Sequence, residues 1–234
     1  MKKISQVVLL AGGKGTRMRE MTENLPKPMV QIGGKPVLEH LINIFSLFGD
    51  FEFIICSGYL GDEISSYFSN RKNIKVIDTG LETPTGGRLY NVSDYLNNDF
   101  IVTYGDGLAN VNIESLIDFH LQHENIGTIT VSNPTSRFGL VKFDDNSVVE
   151  DFIEKPKLTK DYVNIGFMVF NKRFINYLNK DSTLETEPLV SLSQEKELRA
   201  FIHNGYFEPM DTYREYIELN KLWESGKTPW LNYE

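Results

Sequence analysis

Val7-Val8-Leu9-Leu10-Ala11-Gly12-Gly13-Lys14-Gly15-Thr16-Arg17-Met18 opens the chain, and Pro26-Lys27-Pro28 follows shortly after. The run from Ile4 to Leu10 is apolar and β-branched enough for a buried strand. Gly12, Gly13 and Gly15 then remove side chains where the backbone must turn, leaving its N–H groups open to a close ligand. Thr16 adds a hydroxyl, and Arg17 a planar fork suited to phosphate oxygens. Pro26 and Pro28 fix φ on both sides of Lys27 and bias that segment toward an extended conformation, which presents the ammonium as a point charge. The combination predicts a grip on a nucleoside triphosphate at a strand end. Read alone, the loop also fits a tight strand-to-helix turn with solvated basic residues. It contains no G-x-x-x-x-G-K-[ST], and Met18 stands where G-x-G-x-x-G needs its third glycine.

Outward from this loop, strand-like runs at 7–10, 51–56, 74–77, 100–104 and 128–131 alternate with helix-like stretches at 37–48, 61–68, 89–96 and 113–123. Repeated β then α predicts right-handed crossovers and a mostly parallel sheet. The second half is less regular, with strands expected at 140–143, 148–153, 164–170 and 199–202 and helices at 172–178 and 187–194. These predict further strands on the same sheet and a small subdomain. In such sheets ligands collect at the carboxyl ends of strands.

A chain of 234 residues with no Gly/Ser-rich linker, low-complexity run or repeat is expected to form one domain. No apolar run approaches the ~20 residues of a membrane span, and the start, with Lys2 and Lys3, reaches its glycine turn without a cleavage-site pattern. The single cysteine, Cys56, falls in an expected buried strand and excludes internal disulfides, which fits a reducing, cytoplasmic setting. A net charge of −8 argues against nucleic-acid binding, so a polyanionic substrate must be met by local positive charge and a metal ion. His120 and His123 lie three apart on an expected helix, but no cysteine or further histidine completes a zinc set. No serine sits in a G-x-S-x-G elbow, which weakens a hydrolase reading.

A second feature is Thr103-Tyr104-Gly105-Asp106-Gly107, where a strand delivers Asp106 between two glycines; in isolation it reads as an Asp-Gly turn. Far downstream, Pro209-Met210-Asp211-Thr212 offers another carboxylate, or an N-cap for the last helix. Two separated carboxylates together with triphosphate oxygens suit Mg²⁺.

The ordered pattern from Leu10 to Met18, Pro26-Lys27-Pro28 and Gly33-Gly34-Lys35-Pro36 resembles the L-A-G-G-x-G-T-R-(L/M)…P-K-P…G-x-K-P segment of the sugar nucleotidyltransferases, or NDP-sugar pyrophosphorylases. Within them the chain is most similar to the cytidylyltransferases acting on glucose 1-phosphate. That likeness is carried by Val30-Gln31-Ile32-Gly33-Gly34-Lys35-Pro36, Asp78-Thr79-Gly80 leading to Thr85-Gly86-Gly87-Arg88, Tyr104-Gly105-Asp106-Gly107, Ser136-Arg137-Phe138-Gly139, Pro209-Met210-Asp211-Thr212-Tyr213-Arg214 and the end from Leu222 to Trp230, while Phe152-Ile153-Glu154-Lys155-Pro156 matches the wider family. The resemblance implies a three-layer αβα, Rossmann-like nucleotidyltransferase fold with a mostly parallel mixed central sheet and a small sugar-side subdomain. Residues of about 1–135 form the nucleotide half, and about 136–234 the acceptor half and C-terminal helix. It implies CTP, or another triphosphate, bound by Leu10, Ala11, Gly12, Gly13, Gly15, Thr16, Arg17, Lys27, Thr85, Gly86, Gly87, Arg88, Gly105 and Asp106. A phosphorylated acceptor, a sugar 1-phosphate, is implied at Tyr104, Gly139, Glu154, Lys155, Asn164 and Gly166, and Mg²⁺ at Asp106 and Asp211. Arg17 is the expected catalytic partner of the leaving β/γ-phosphates, and Lys27 that of the oxygens around the α-phosphorus. Lys155 is expected to bring the acceptor phosphate. The reaction implied is in-line attack on the α-phosphorus with release of pyrophosphate, and the expected assembly is a homo-oligomer.

Two departures bear on these expectations. Family members acting on glucose carry a longer insert where only Ser69 to Lys75 stand here, and Ile165 replaces the second glycine they show in Asn164-Ile165-Gly166. A side chain there is expected to crowd or reshape the acceptor pocket. Two other classes compete: a metal-dependent glycosyltransferase, disfavoured because Asp106-Gly107-Leu108 lacks the D-x-D, and a non-catalytic nucleotide- or sugar-sensing domain, disfavoured by the joint presence of Arg17, Lys27, Asp106, Lys155 and Asp211.

Overall fold

Along strand β1 (Gln6–Leu10) every residue is buried, with Val7 and Leu9 in one apolar cluster and Val8 and Leu10 in another. A strand covered on both faces belongs at the centre of a layered α/β sheet, and that is its place in the computed structural model, which describes residues 4–136, 138–158 and 161–233. Lys2, Lys3 and Arg137, singled out in the sequence, lie outside the described residues.

Numbered along the chain, the strands after β1 are β2 (Gln31–Ile32), β3 (Lys35–Pro36), β4 (Glu52–Ser57), β5 (Ile74–Asp78), β6 (Asp99–Tyr104) and β7 (Gly107–Ala109). They continue with β8 (Gly127–Ser132), β9 (Leu140–Phe143), β10 (Val149–Ile153), β11 (Val163–Asn164), β12 (Met168–Asn171), β13 (Leu198–Ile202) and β14 (Phe207–Pro209). The helices are α1 (Arg19–Thr22), α2 (Val37–Ser46), α3 (Gly61–Phe68), α4 (Thr85–Asn91), α5 (Ile113–Leu121), α6 (Glu187–Gln194) and α7 (Tyr213–Glu224).

The central sheet runs β11-β8-β12-β6-β1-β4-β5, with β13 also pairing β8. The half made by β6-β1-β4-β5 is parallel throughout, while β11 and β12 enter antiparallel and make the sheet mixed, as expected. Helices α2, α3, α5 and α7 bury Leu41, Ile64, Leu116 and Leu219 in the first cluster; α4 and α6 bury Leu89 and Leu192 in the second. The expected three layers are therefore present, and among the described residues no helix is long and apolar enough to cross a membrane.

Three elements differ from the sequence expectation. The helix anticipated at 89–96 begins four residues earlier at Thr85, because Pro84 stands just before its first turn where no N–H is needed, and it ends at Asn91 before a 3₁₀ turn over Ser93–Tyr95. The stretch at 172–178 is 3₁₀ rather than α. The strand anticipated at 164–170 breaks at Gly166 and Phe167, both at positive φ, so that β11 and β12 pair separately with β8. Off the central sheet, β9 and β10 form a hairpin whose Val141, Phe143, Val149 and Phe152 are all exposed.

The two histidines set aside as metal ligands meet on one buried hydroxyl, since His120 Nδ1 and His123 Nε2 each lie 2.9 Å from Thr128 Oγ1. Burial, with the neighbouring His123, drives the His120 pKa down from 6.5 to about 4. The folded chain thus binds fewer protons than the unfolded chain between these values, so His120 favours folding fully above pH 6.5 and progressively less as pH falls toward 4. Urea midpoints are expected to drop from about pH 7 to about pH 4.5 and to drop less in His120→Gln. An equal pH slope in that variant would show that the buried neutral imidazole is not its source.

Candidate active site

Parallel pairing of β1 with β6 aligns Leu10 with Tyr104, and Gly105 N donates to the Leu10 carbonyl at 3.0 Å. The glycine loop and Asp106 therefore leave the sheet side by side at the carboxyl ends of their strands. Asp106 runs straight into β7, which pairs antiparallel with β14 in a register that sets Gly107 against Pro209. Met210 N closes the ladder on the Asp106 carbonyl at 2.8 Å. This short zipper brings Asp211 beside Asp106 although most of the second half of the chain separates them.

Lys27 lies between the two carboxylates. Its ammonium donates to Asp106 Oδ2 at 2.5 Å and to Asp211 Oδ1 at 2.8 Å, while Arg17 donates to Asp211 Oδ2 at 2.9 Å. Only 8% of Lys27 is exposed. The proline pair does not hold it extended, as expected, but in a 3₁₀ turn over Lys27–Met29; Pro28 is tolerated in the first turn and Met29 N closes on the Pro26 carbonyl at 2.8 Å. Burial works to raise the Asp211 pKa, but the hydrogen bond and charge of Lys27, then those of Arg17, outweigh it and hold that carboxyl below the usual carboxylate range.

Asp211 is also fixed from its C-terminal side. Glu215 Oε2 accepts from Asp211 N and Thr212 N, and Thr212 and Glu215 form a capping box that starts α7. That helix is anchored by Gly33, whose N–H donates to Asn220 Oδ1 at 3.0 Å. A Cβ on Gly33, at φ +57, would fall inside the Trp223 indole. The Gly33-Gly34-Lys35-Pro36 motif thus seats the helix that delivers Asp211.

Leu10, Ala11, Gly12, Gly13, Gly15, Thr16, Arg17, Lys27, Thr85, Arg88, Tyr104, Gly105, Asp106 and Asp211 line one cleft of about 340 Å³. Sequence reasoning missed Pro28, Thr83 and Pro84 in the same lining. Arg88, expected at the nucleotide, lines this cleft with a guanidinium engaged by the protein itself. It donates to the carbonyls of Gly12, Ser57 and Gly80 and to Thr79 Oγ1, at 2.8 to 3.0 Å. A Cβ on Gly12 would overlap that guanidinium, so the glycine admits the arginine under the loop. Gly86 and Gly87 are buried in α4, where a Cβ would strike the Ser182 and Lys180 carbonyls; their smallness serves helix packing.

The acceptor-side residues fall into two groups. Gly166 lies against Tyr104 and Thr103, and Asn164 Oδ1 accepts from Gly166 N at 3.0 Å. Gly139, Glu154 and Lys155 flank the β9–β10 hairpin: a Cβ on Gly139 would meet Phe152 and Glu154, and Glu154 and Lys155 form an exposed ion pair at 3.7 Å. Of the residues expected at the acceptor, only Tyr104 lines the cleft of the nucleotide half. The Ile165 side chain, expected at the acceptor pocket, is 3% exposed and packs in the first apolar cluster. Glu185, which no motif marked, accepts from both Thr85 Oγ1 and Tyr104 Oη.

The chain is similar to known proteins along nearly its whole length. The family model described as "Nucleotidyl transferase" matches residues 6–221. Glucose-1-phosphate cytidylyltransferase of Salmonella typhi is 41% identical over 257 aligned positions, covering 98% of this chain and all of the relative. Because 257 exceeds this chain's 234 residues, the relative carries segments absent here. A probable glucose-1-phosphate cytidylyltransferase of Bacillus subtilis is 35% identical, covering 96% of this chain and 98% of the relative. Among solved structures, HddC from Yersinia pseudotuberculosis superimposes with a TM-score of 0.73 at 25% identity, covering 94% of this chain and all of that one.

The hydrogen bonding of Arg88 makes a direct prediction. Arg88→Met is expected to leave several buried carbonyls without a donor and to lower unfolding free energy by about 3 kcal/mol in urea titrations. Unchanged stability with loss of nucleotide binding would instead make Arg88 a ligand contact.

Proposed function

This chain belongs to the nucleotidyl transferase family and is a nucleotidyltransferase, and on that premise we propose that it joins CTP to a sugar 1-phosphate, glucose 1-phosphate first among them, giving a CDP-sugar and pyrophosphate in the cytoplasm. The observation that carries the reading is the convergence of Asp106 and Asp211 on Lys27, with Arg17 alongside, at the mouth of the glycine loop. CTP and glucose are favoured by the near full-length likeness to the Salmonella typhi enzyme. Ile165, which departs from the glycine of the family pattern, packs in the buried core.

The two carboxylates fit Mg²⁺ by the chemistry of their donors: both are hard oxygens, and they meet at a single cationic nitrogen. Mg²⁺ is commonly held by one or two carboxylates, with substrate phosphates completing its shell. Bound there, it neutralises phosphate charge. Asp106 and Asp211 would hold the cation, and the Lys27 ammonium turns from them to the oxygens around the α-phosphorus. Arg17 likewise turns from Asp211 to the β/γ-phosphates, and Lys155 brings the acceptor phosphate. The acceptor oxygen bonds to the α-phosphorus as the bond to the pyrophosphate oxygen breaks. At an effective dielectric of about 20, unit charges 4 Å apart interact by roughly 4 kcal/mol. Three cations and a metal therefore suffice to offset the repulsion between two anionic substrates in a chain of net charge −8.

Pyrophosphate release is measured for four nucleoside triphosphates against a panel of phosphorylated sugars, with and without Mg²⁺. The highest rate is expected for CTP with glucose 1-phosphate, and none without the metal; preference for another triphosphate, or silence throughout, overturns the reading. Asp106→Asn and Lys27→Ala are each expected to lower kcat by about 10² to 10³ with retained folding by circular dichroism. A near-normal kcat in either removes that residue from the mechanism.

A further inference from the structure

Two hydroxyls on the cleft wall point at one carboxylate. Tyr104 Oη donates to Glu185 Oε1 at 2.6 Å, and Thr85 Oγ1 donates to Glu185 Oε2 at 2.7 Å while accepting from Leu184 N at 2.9 Å. Burial, then the Glu185 charge, raises the Tyr104 pKa and keeps that hydroxyl a donor. Thr85 opens α4 on the nucleotide side, whereas Tyr104 touches the acceptor side, its ring against Gly166 and its hydroxyl facing the Asn164 amide. Glu185 therefore marks the junction of the two halves, and it is exposed.

The donors of this wall are turned onto Glu185, so what the junction offers an incoming molecule is a carboxylate. Such a group only accepts hydrogen bonds, and its two oxygens provide about four lone-pair sites, of which the protein hydroxyls occupy two. A neutral hydroxyl is a good partner for the remainder. A second anion is repelled.

We propose that Glu185 is a specificity-determining residue for the acceptor: its carboxylate takes a sugar hydroxyl and selects neutral polyhydroxylated phosphates over those with a further acidic group. This rests on the sugar 1-phosphate reading above. Pyrophosphate release with CTP is measured for the intact protein, Glu185→Gln and Glu185→Ala, with glucose 1-phosphate and with a hexuronic acid 1-phosphate. The KM for glucose 1-phosphate is expected to rise about tenfold or more in both variants, as for loss of a hydrogen bond to a charged group. The KM for CTP stays unchanged, and Glu185→Gln gains on the acidic acceptor relative to glucose 1-phosphate. A carboxylate that merely braces Thr85 and Tyr104 would instead move both KM values together, which overturns the proposal, as does an unmoved acceptor KM. Silence of the intact protein with every sugar 1-phosphate overturns the parent reading and this proposal together; activity with an unmoved acceptor KM overturns this proposal alone.

Discussion

A buried ammonium between two carboxylates organises the molecule's chemistry. Taking Lys27, Asp106 and Asp211 out of water carries a desolvation cost, recovered only if charges meet in good geometry. The contacts of 2.5 and 2.8 Å supply that geometry. Each partner arrives on a different part of the fold: Lys27 on a 3₁₀ turn, Asp106 off the central strand β6, and Asp211 at the start of the last helix. Displacing Lys27 removes the Asp106 ion pair, whereas Asp211 keeps that with Arg17. Much of the fold's irregular backbone, including the β7–β14 zipper and the β2–β3 turn under Trp223, keeps the three in register.

The motif residues divide by what they touch. Arg17 and Lys27 donate to carboxylates, whereas Arg88 is bound to backbone carbonyls and shapes the loop beside them. Gly12 makes room for that arginine, and Gly33 makes room for Trp223. The motif therefore mixes cations that meet the acidic pair with one that meets the backbone. Residue type alone does not separate them: both Arg17 and Arg88 are arginines near glycines.

The parallel half of the sheet was readable because its strands are short continuous apolar runs bounded by turn residues, with a helical period between them. The glycine loop and Asp106 were readable as strand-end features for the same reason. Asp211 could be suspected only through resemblance, since its meeting with Asp106 depends on three-residue strands too short to leave a pattern. The burial of Ile165 is not legible in the sequence, because positive φ at Gly166 and Phe167 breaks the strand alternation that would place its side chain. Glu185 was invisible: in Leu184-Glu185-Thr186-Glu187 nothing local distinguishes the carboxylate that meets Thr85 and Tyr104 from its neighbour two residues on.

The central claim is that Lys27 and a divalent cation share one pair of carboxylates. Mn²⁺, used as a paramagnetic probe without nucleotide, tests it by titration of the intact protein and of Lys27→Met with free metal read by EPR. Tighter Mn²⁺ binding in Lys27→Met, abolished by adding Asp106→Asn, is the predicted result; equal or weaker binding without the lysine would contradict the account.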